Sequence, residues 1–130
     1  MNILIADDHA NVRRGLREIL TDAFAGSHFS EAVDGGAVLS QLASSPHDVL
    51  LLDINMPGRS GLEVLKDVRE FYPLLPVVMV SVQPENPYAS RCIRAGATAY
   101  VSKGSATEDL APAIRKIFDK PAELAPCLSE

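Results

Sequence analysis

Short apolar runs alternate with amphipathic helical stripes five times along the chain, and this alternation constrains the fold more than any other feature. Most of the runs are nearly all apolar, which is typical of strands buried on both faces of a parallel sheet. Alternating strands and helices predict such a sheet with helices on both faces, connected by right-handed crossovers. The predicted strands are residues 2–6, 29–33, 49–52, 76–80 and 99–101.

Helix boundaries are marked at several places. Ser60 and Glu63 fit a capping box ahead of a helix that continues to about Phe71. Asn86, just before a proline, predicts the start of the fourth helix, and Gly96 predicts its end.

The end of the chain is less regular. Pro112 falls in the last helical stripe, and a proline inside a helix costs about 3 kcal/mol. That helix is therefore expected either to begin near Asp109 or to kink. From Asp119 onward two prolines interrupt any stripe. We expect one domain over residues 1–118 and a tail or linker over 119–130.

Composition excludes several classes of function. The chain of 130 residues is 47% hydrophobic and 22% charged, as soluble globular proteins are. No apolar run approaches the roughly 20 residues of a membrane helix, and the N-terminus does not resemble a signal peptide. The net charge of −5 argues against nucleic-acid binding by this chain itself. Two cysteines without metal-ligand spacing fit free thiols, so we expect a cytoplasmic protein.

Polar side chains follow four of the five predicted strands, at the edge where parallel sheets bind ligands. Two like charges about 4 Å apart repel by about 4 kcal/mol at an effective dielectric near 20. Three carboxylates at that edge therefore need a cation or large pKa shifts. The residues are Asp7 and Asp8 after the first strand, Asp53 after the third, Ser81 after the fourth and Lys103 after the fifth.

This set of residues predicts a specific chemistry. Carboxylate oxygens suit Mg²⁺. Ser81 and Lys103 could hold the oxygens of an anion such as a phosphoryl group. A carboxylate facing Mg²⁺ and a lysine can also act as the nucleophile, which gives an aspartyl-phosphate.

Each of these residues taken alone has an ordinary explanation. The acid pair could simply form a turn at a strand end, and a lone lysine belongs on the surface. Tyr100 could be a core residue of its strand. His9 follows the acid pair and could contact the site, or it could be an exposed residue leading into a helix. The functional interpretation therefore depends on the order and spacing of the whole set.

Four stretches, LIADDH, LLDINMPGRSGLE, VVMVS and AGATAYVSK, occur in this order and carry that set. With them the chain resembles the receiver domain of bacterial two-component response regulators over residues 1 to about 118. The stretch PYASRCIRAGATAYVSK is most similar to the NarL/FixJ subfamily, whose receivers precede a helix-turn-helix domain of the LuxR type. The resemblance implies a flavodoxin-like, CheY-like α/β fold with five parallel strands in the order 2-1-3-4-5 and helices on both faces.

The resemblance also implies roles for the acidic residues. Asp53 matches the phosphoacceptor, which takes a phosphoryl group from a sensor histidine kinase. Asp8 and Asp53 match direct ligands of Mg²⁺, and Asp7 matches a ligand that acts through water. The backbone carbonyl of Asn55 matches the third protein ligand.

Further roles follow from the same resemblance. Ser81 and Lys103 match the pair that holds the phosphoryl oxygens, and Tyr100 matches the aromatic residue that turns inward when the hydroxyl at position 81 moves. Asn55 and Gln83 match two variable positions that tune the lifetime of the phosphate.

One position departs from the family pattern. Gly104 follows Lys103 where many members have a proline after a cis bond. A cis bond to a non-proline residue costs roughly 2.5–4 kcal/mol. The peptide before Gly104 is therefore either held cis by its surroundings or trans, with Gly104 absorbing the turn.

Competing classes fit less well. A phosphatase of the haloacid dehalogenase type needs a second acid where Asn55 stands, and a flavodoxin needs a hydroxyl- and glycine-rich loop where Asp7 and Asp8 stand. No GxxxxGK[ST] loop is present. We therefore expect no enzyme, only Mg²⁺-dependent self-phosphorylation and self-dephosphorylation.

The output is expected to be transcriptional. We expect a homodimer on activation, and DNA binding only through a further C-terminal domain that the linker would lead to. The alternative is a stand-alone or phosphorylation-independent receiver that acts through protein contacts. No membrane partner is expected.

Overall fold

A computed structural model of the chain describes residues 1–82 and 85–128, without the side chains of 85–88 and 119–128. Strands and helices alternate as the sequence predicts. The strands are β1 (Asn2–Ala6), β2 (His28–Ala32), β3 (Val49–Asp53), β4 (Val77–Ser81) and β5 (Ala99–Ser102). The helices are α1 (Ala10–Ala23), α2 (Gly35–Ser44), α3 (Gly61–Phe71), α4 (Glu85–Arg94) and α5 (Ala106–Leu128).

The strands form one parallel sheet in the order β2-β1-β3-β4-β5, which confirms the predicted topology. Ala6 lies beside Leu52, and Asp53 lies beside Val80. Because all strands run in the same direction, their carboxyl ends meet at one edge of the sheet. That edge positions the residues described below.

A separate core covers each face of the sheet, and the buried strand β3 contributes to both. Leu50 and Leu52 pack with residues of α2, α3 and α4, whereas Val49 and Leu51 pack with residues of α1 and α5. Successive side chains of a strand point to opposite faces. Both faces of β3 are therefore covered, which explains why its sequence is apolar throughout and does not alternate with polar residues.

Two helix starts near the site are capped. The Ser60 side chain accepts the Glu63 backbone N–H, and the Glu63 carboxylate accepts the Ser60 N–H, so the predicted capping box is confirmed. Asp34, whose role the sequence pattern did not reveal, caps α2 by accepting the Ala37 N–H at 2.8 Å. Such caps stabilise a helix by about 1 kcal/mol each.

Two helix boundaries differ from the sequence prediction. The fourth helix begins at Glu85, one residue before the predicted cap at Asn86. The fifth begins at Ala106 and Pro112 lies inside the helix, so of the two predicted alternatives the start near Asp109 is wrong and the kink stays a prediction. The helix forgoes one hydrogen bond there, because proline has no N–H. Tertiary packing of Leu110 and Ile114, both fully buried, overrides this local penalty.

The segment predicted as a tail or linker continues α5 as helix to Leu128. Its role as a connection to a further domain remains a prediction. Gln83 lies outside the described residues. Gly104 lies in a single 3₁₀ turn over Lys103–Ser105, and its φ is not in the left-handed region.

Candidate functional site

The acidic residues meet at the carboxyl edge of the sheet because β1 and β3 are neighbours there. Asp7 and Asp8 follow the last residue of β1, and Asp53 is the last residue of β3. Asp7 and Asp53 are almost fully buried, with 1% and 3% of their surfaces exposed, whereas Asp8 reaches solvent. The structure thus places the predicted acid cluster where the parallel topology requires it.

Lys103 joins the cluster from the end of β5. Its ammonium lies 2.7 Å from Asp7 Oδ2 and 3.4 Å from Asp53 Oδ2, and its side chain is largely buried. Lys103 is the first residue of the 3₁₀ turn that follows β5. Lys103 therefore faces two buried carboxylates. This pairing accounts for its burial, because lysines are rarely buried without a partner of opposite charge.

The charges at the site are only partly compensated. Burial and, secondly, the neighbouring charge of Asp7 raise the pKa of the Asp53 carboxyl, against the opposing effect of Lys103. Asp7 Oδ2 accepts no well-aligned hydrogen bond from the described residues, although Lys103 Nζ lies close to it. A buried oxygen in this state is a ready ligand for a cation or a water molecule.

The donor atoms fit a hard divalent cation. Ligand atoms of Asp7, Asp8 and His9 all lie within 4.8 Å of one another. The Asp53 carboxylate shares Lys103 with Asp7, which brings it to the same place. Carboxylate oxygens with an open, partly solvated side are the ligand type that Mg²⁺ takes in proteins. The residues present therefore suit Mg²⁺.

The loop after β3 wraps closely around Asp53. The Asn55 N–H donates to Asp53 Oδ1 at 3.3 Å. The Gly61 N–H donates to the Ile54 carbonyl at 2.6 Å, which brings the start of α3 back to the end of β3. Gly58 turns the loop with a φ of 81°. Asn55 itself is exposed, and its contact with Asp53 places this loop beside the acid cluster.

The two predicted switch residues occupy neighbouring strands. Ser81 ends β4 and is fully buried. Tyr100 lies in β5 opposite Met79 and is half-buried. It packs against the core that the sheet forms with α2, α3 and α4. Their positions fit the roles that the resemblance implies, and those roles remain predictions.

Two further residues contact the acid pair. His9 was expected as an exposed residue leading into α1, and its side chain is 67% exposed, but Nδ1 lies 3.0 Å from Asp8 Oδ1 and 3.3 Å from Asp7 Oδ1. Arg13 donates from Nη1 to the Asp7 carbonyl oxygen at 2.7 Å. The adjacency of His9 to the acid pair was the available signal for the first. Nothing in the sequence indicated the second.

The structure contains, among its described residues, no helix long and apolar enough to cross a membrane.

Comparison with known proteins gives one consistent result. A family model described as the response regulator receiver domain matches residues 3–115. The response regulator UvrY of Escherichia coli is 35% identical over 118 residues, which cover 91% of this chain and 54% of UvrY. The chain therefore spans about half the length of that relative.

Two solved structures extend the comparison. A LuxR-family two-component response regulator from an Aurantimonas species superposes with a TM-score of 0.83 at 28% identity, covering 92% of this chain and 85% of that one. The response regulator TrrA of Thermotoga maritima, solved in complex with Mg²⁺ and BeF, gives a TM-score of 0.78 at 30% identity, covering 88% of this chain and 96% of that one.

Proposed function

Since the chain belongs to the response regulator receiver domain family, and so is the receiver of a two-component signalling system, we propose that it is a switch worked by phosphorylation of Asp53. A histidine kinase supplies the phosphoryl group, and the reaction depends on Mg²⁺. The observation that carries this proposal is the buried Asp53 carboxylate, which lies close to the Lys103 ammonium and beside two further acids.

The metal would be held by residues at the carboxyl edge. Asp8, Asp53 and the backbone carbonyl of Asn55 would bind Mg²⁺ directly, and Asp7 would bind through water. When bound, Mg²⁺ supplies positive charge that balances the carboxylates and the phosphoryl oxygens. Asp7 Oδ2 accepts no well-aligned hydrogen bond from the described residues, and burial, together with the charge of Asp7, raises the pKa of Asp53. Both support this assignment, because a bound cation would favour the charged forms of the two carboxylates. The TrrA structure, solved with Mg²⁺ and BeF, supports it independently.

The transfer itself needs few groups from this chain. An oxygen of the Asp53 carboxylate attacks the phosphorus of a phosphohistidine on the kinase. The new O–P bond forms as the N–P bond breaks, and the imidazole leaves with the electron pair. Lys103, already 3.4 Å from Asp53 Oδ2, would shift its ammonium to the oxygens of the transferred group.

Phosphorylation would then change the surface. The Ser81 hydroxyl would move to the phosphoryl group, and the Tyr100 ring would turn inward into the space beside β4. Reversing a 1:99 balance of two conformations to 99:1 needs about 5.5 kcal/mol of differential stabilisation. Charge-assisted contacts of Ser81, Lys103 and the cation with the phosphoryl oxygens are of the right strength for this.

The output would be dimerisation that controls a DNA-binding domain. The similarity to UvrY and to a LuxR-family regulator supports this, because the chain covers only 54% of UvrY. The surface formed by α4, β5 and α5, or the one formed by α1 and α5, would carry the dimer contact.

Intact-mass spectrometry tests the proposal. The chain is incubated with a small-molecule phosphodonor with Mg²⁺ or with EDTA, beside Asp53→Asn and the control Asp22→Asn, which changes an exposed acid of α1. We expect one added phosphoryl group in the wild type and in Asp22→Asn, and none in Asp53→Asn or in EDTA. An unmodified wild type that still binds Mg²⁺, and that its cognate kinase also leaves unmodified, would favour the phosphorylation-independent receiver instead.

A further inference from the structure

Arg13 of α1 links the acid pair to the edge strand β2. Its Nη1 donates to the backbone carbonyl of Asp7 at 2.7 Å, and its Nε donates to Glu31 Oε1 at 2.6 Å. The Arg13 side chain is only 15% exposed, so both contacts lie in a partly desolvated place. Glu31 belongs to β2, where it is the register partner of Ile5. The guanidinium thus bridges a strand side chain and the loop that carries the acids.

The Asp7 carbonyl that Arg13 contacts belongs to the peptide that joins the two acids, so its orientation affects where their side chains point. The carbonyl of Asp7 and the N–H of Asp8 belong to one planar peptide unit. A hydrogen bond to that carbonyl therefore fixes the plane from which Asp8 departs. The Asp7 N–H also donates to the Ala32 carbonyl at 3.0 Å, and the His9 N–H donates to Asp7 Oδ1 at 2.9 Å. Arg13 contributes to this set from a side chain of another element, α1.

We propose that Arg13 is a positioning residue for the metal site. Held by Glu31, it fixes the Asp7–Asp8 peptide so that the two carboxylates face the site before a cation binds. Naming Mg²⁺ as the ion rests on the function proposed above, whereas the fixing of the peptide does not.

A purely electrostatic effect of Arg13 would have the opposite sign. A cation near the acid pair repels Mg²⁺, so its removal would tighten Mg²⁺ binding if charge were all that mattered. Removal of a group that orients metal ligands instead weakens binding, commonly by about 10-fold to 100-fold. The direction of the change therefore distinguishes the two explanations.

Arg17 provides a matched control. Its Nη1 pairs with Glu31 Oε2 at 2.7 Å, and its guanidinium lies 5.3 Å from the centre of the Phe29 ring, but no described contact joins it to Asp7. Arg13→Met and Arg17→Met each remove one cation and one ion pair with Glu31 while keeping an apolar stem. Only Arg13→Met removes the hydrogen bond to the Asp7–Asp8 peptide.

Two measurements on these variants test the proposal. Isothermal titration calorimetry gives the Kd for Mg²⁺, and amide hydrogen exchange followed by NMR in EDTA reports on residues 7–9 in the metal-free protein. For Arg13→Met we expect Mg²⁺ binding weakened about tenfold. We also expect faster exchange at residues 7–9, with the Asn55 amide, on the other side of the site, unchanged. For Arg17→Met we expect unchanged exchange and Mg²⁺ binding equal to or tighter than in the wild type.

Contrary outcomes are specific. Equal or tighter Mg²⁺ binding in Arg13→Met with unchanged exchange at residues 7–9 would overturn the positioning role. If the wild type binds no Mg²⁺, the proposed function loses its metal, while the exchange data still decide whether Arg13 fixes the peptide. If Arg13→Met does not fold, Glu31→Gln, which weakens the hold on Arg13, replaces it with the same expected direction in both measurements and the same contrary result.

Discussion

At the scale of single residues, Asp53 is both a buried carboxylate and the proposed phosphoacceptor. Its carboxyl is almost fully buried, and burial and Asp7 raise its pKa. A group whose pKa is raised by folding is destabilising in its charged form. The charged Asp53 carboxylate therefore lowers the stability of the metal-free fold, and a bound cation would offset this effect. Such a loss of stability is expected at functional sites.

This conflict predicts that Asp53→Asn stabilises the metal-free domain. The unfolded-state pKa of Asp is about 3.9. Below it both states of the wild type are protonated and the penalty is absent; the penalty grows as the pH rises through the higher folded-state pKa. In EDTA, urea unfolding should show a higher free energy of unfolding for Asp53→Asn than for the wild type at neutral pH. The gain should shrink as the pH falls toward 4 and when Mg²⁺ is added.

The exposed Asp22→Asn variant serves as the control and should show no such gain. A gain in Asp53→Asn that stays constant with pH, or a loss of stability at neutral pH, would contradict an uncompensated charge at Asp53.

At the scale of elements, the close approach of α3 to β3 holds the loop beside Asp53. A Cβ atom on Gly61 would lie 2.1 Å from the Asp53 carbonyl oxygen and 2.8 Å from the Ile54 Cα. Both are backbone atoms and cannot rotate away. Glycine is therefore required at the first residue of α3, although its sequence context suggested only a helix start.

Gly61→Ala is expected to destabilise the domain by about 1–3 kcal/mol, because the loop must move to accept the methyl group. It should also slow phosphorylation of the neighbouring Asp53. Gly15→Ala is the matched control, since a Cβ at Gly15 in the middle of α1 meets no atom within 4 Å. It should instead stabilise the domain by about 0.5–1 kcal/mol. Urea unfolding of both variants measures this, and equal effects would contradict the close approach.

Element type and site location could be predicted from the sequence for the same physical reason. Apolar runs such as residues 49–52 identify buried strands, and parallel strands bring the residues at their ends together. Helix ends were predicted less well. Asn86 and Pro112 are strong local signals, yet α4 begins before the first and α5 continues through the second. For α5, the packing of Leu110 and Ile114 against the sheet outweighs the local penalty of Pro112.

Arg13 could not be predicted from the sequence, because its contacts depend on how α1 docks. It is six residues from Asp7 and on a different element from Glu31, so no local pattern connects the three. The contact exists only after β2 pairs with β1 and α1 packs across them. Residues that support a site from a neighbouring element are in general invisible to sequence patterns of this kind.

At the scale of the whole molecule, one sheet separates two cores, and the site lies at the sheet edge between them. Lys103 and Tyr100 belong to β5 and its following turn. In the proposed switch, a change at Asp53 would therefore reach the outer strand and α5 through a single element. This arrangement connects the proposed phosphorylation to the surfaces proposed for dimerisation.

The identity of the modified residue is the most direct test of the proposed switch. After phosphorylation in Mg²⁺, borohydride reduces an aspartyl-phosphate to homoserine, and peptide mass spectrometry locates the change. We predict homoserine at position 53 alone, with Asp7, Asp8 and the exposed Asp22 unchanged. Reduction at another acid, or a phosphoryl group that resists borohydride and maps to a serine or histidine, would contradict Asp53 as the phosphoacceptor.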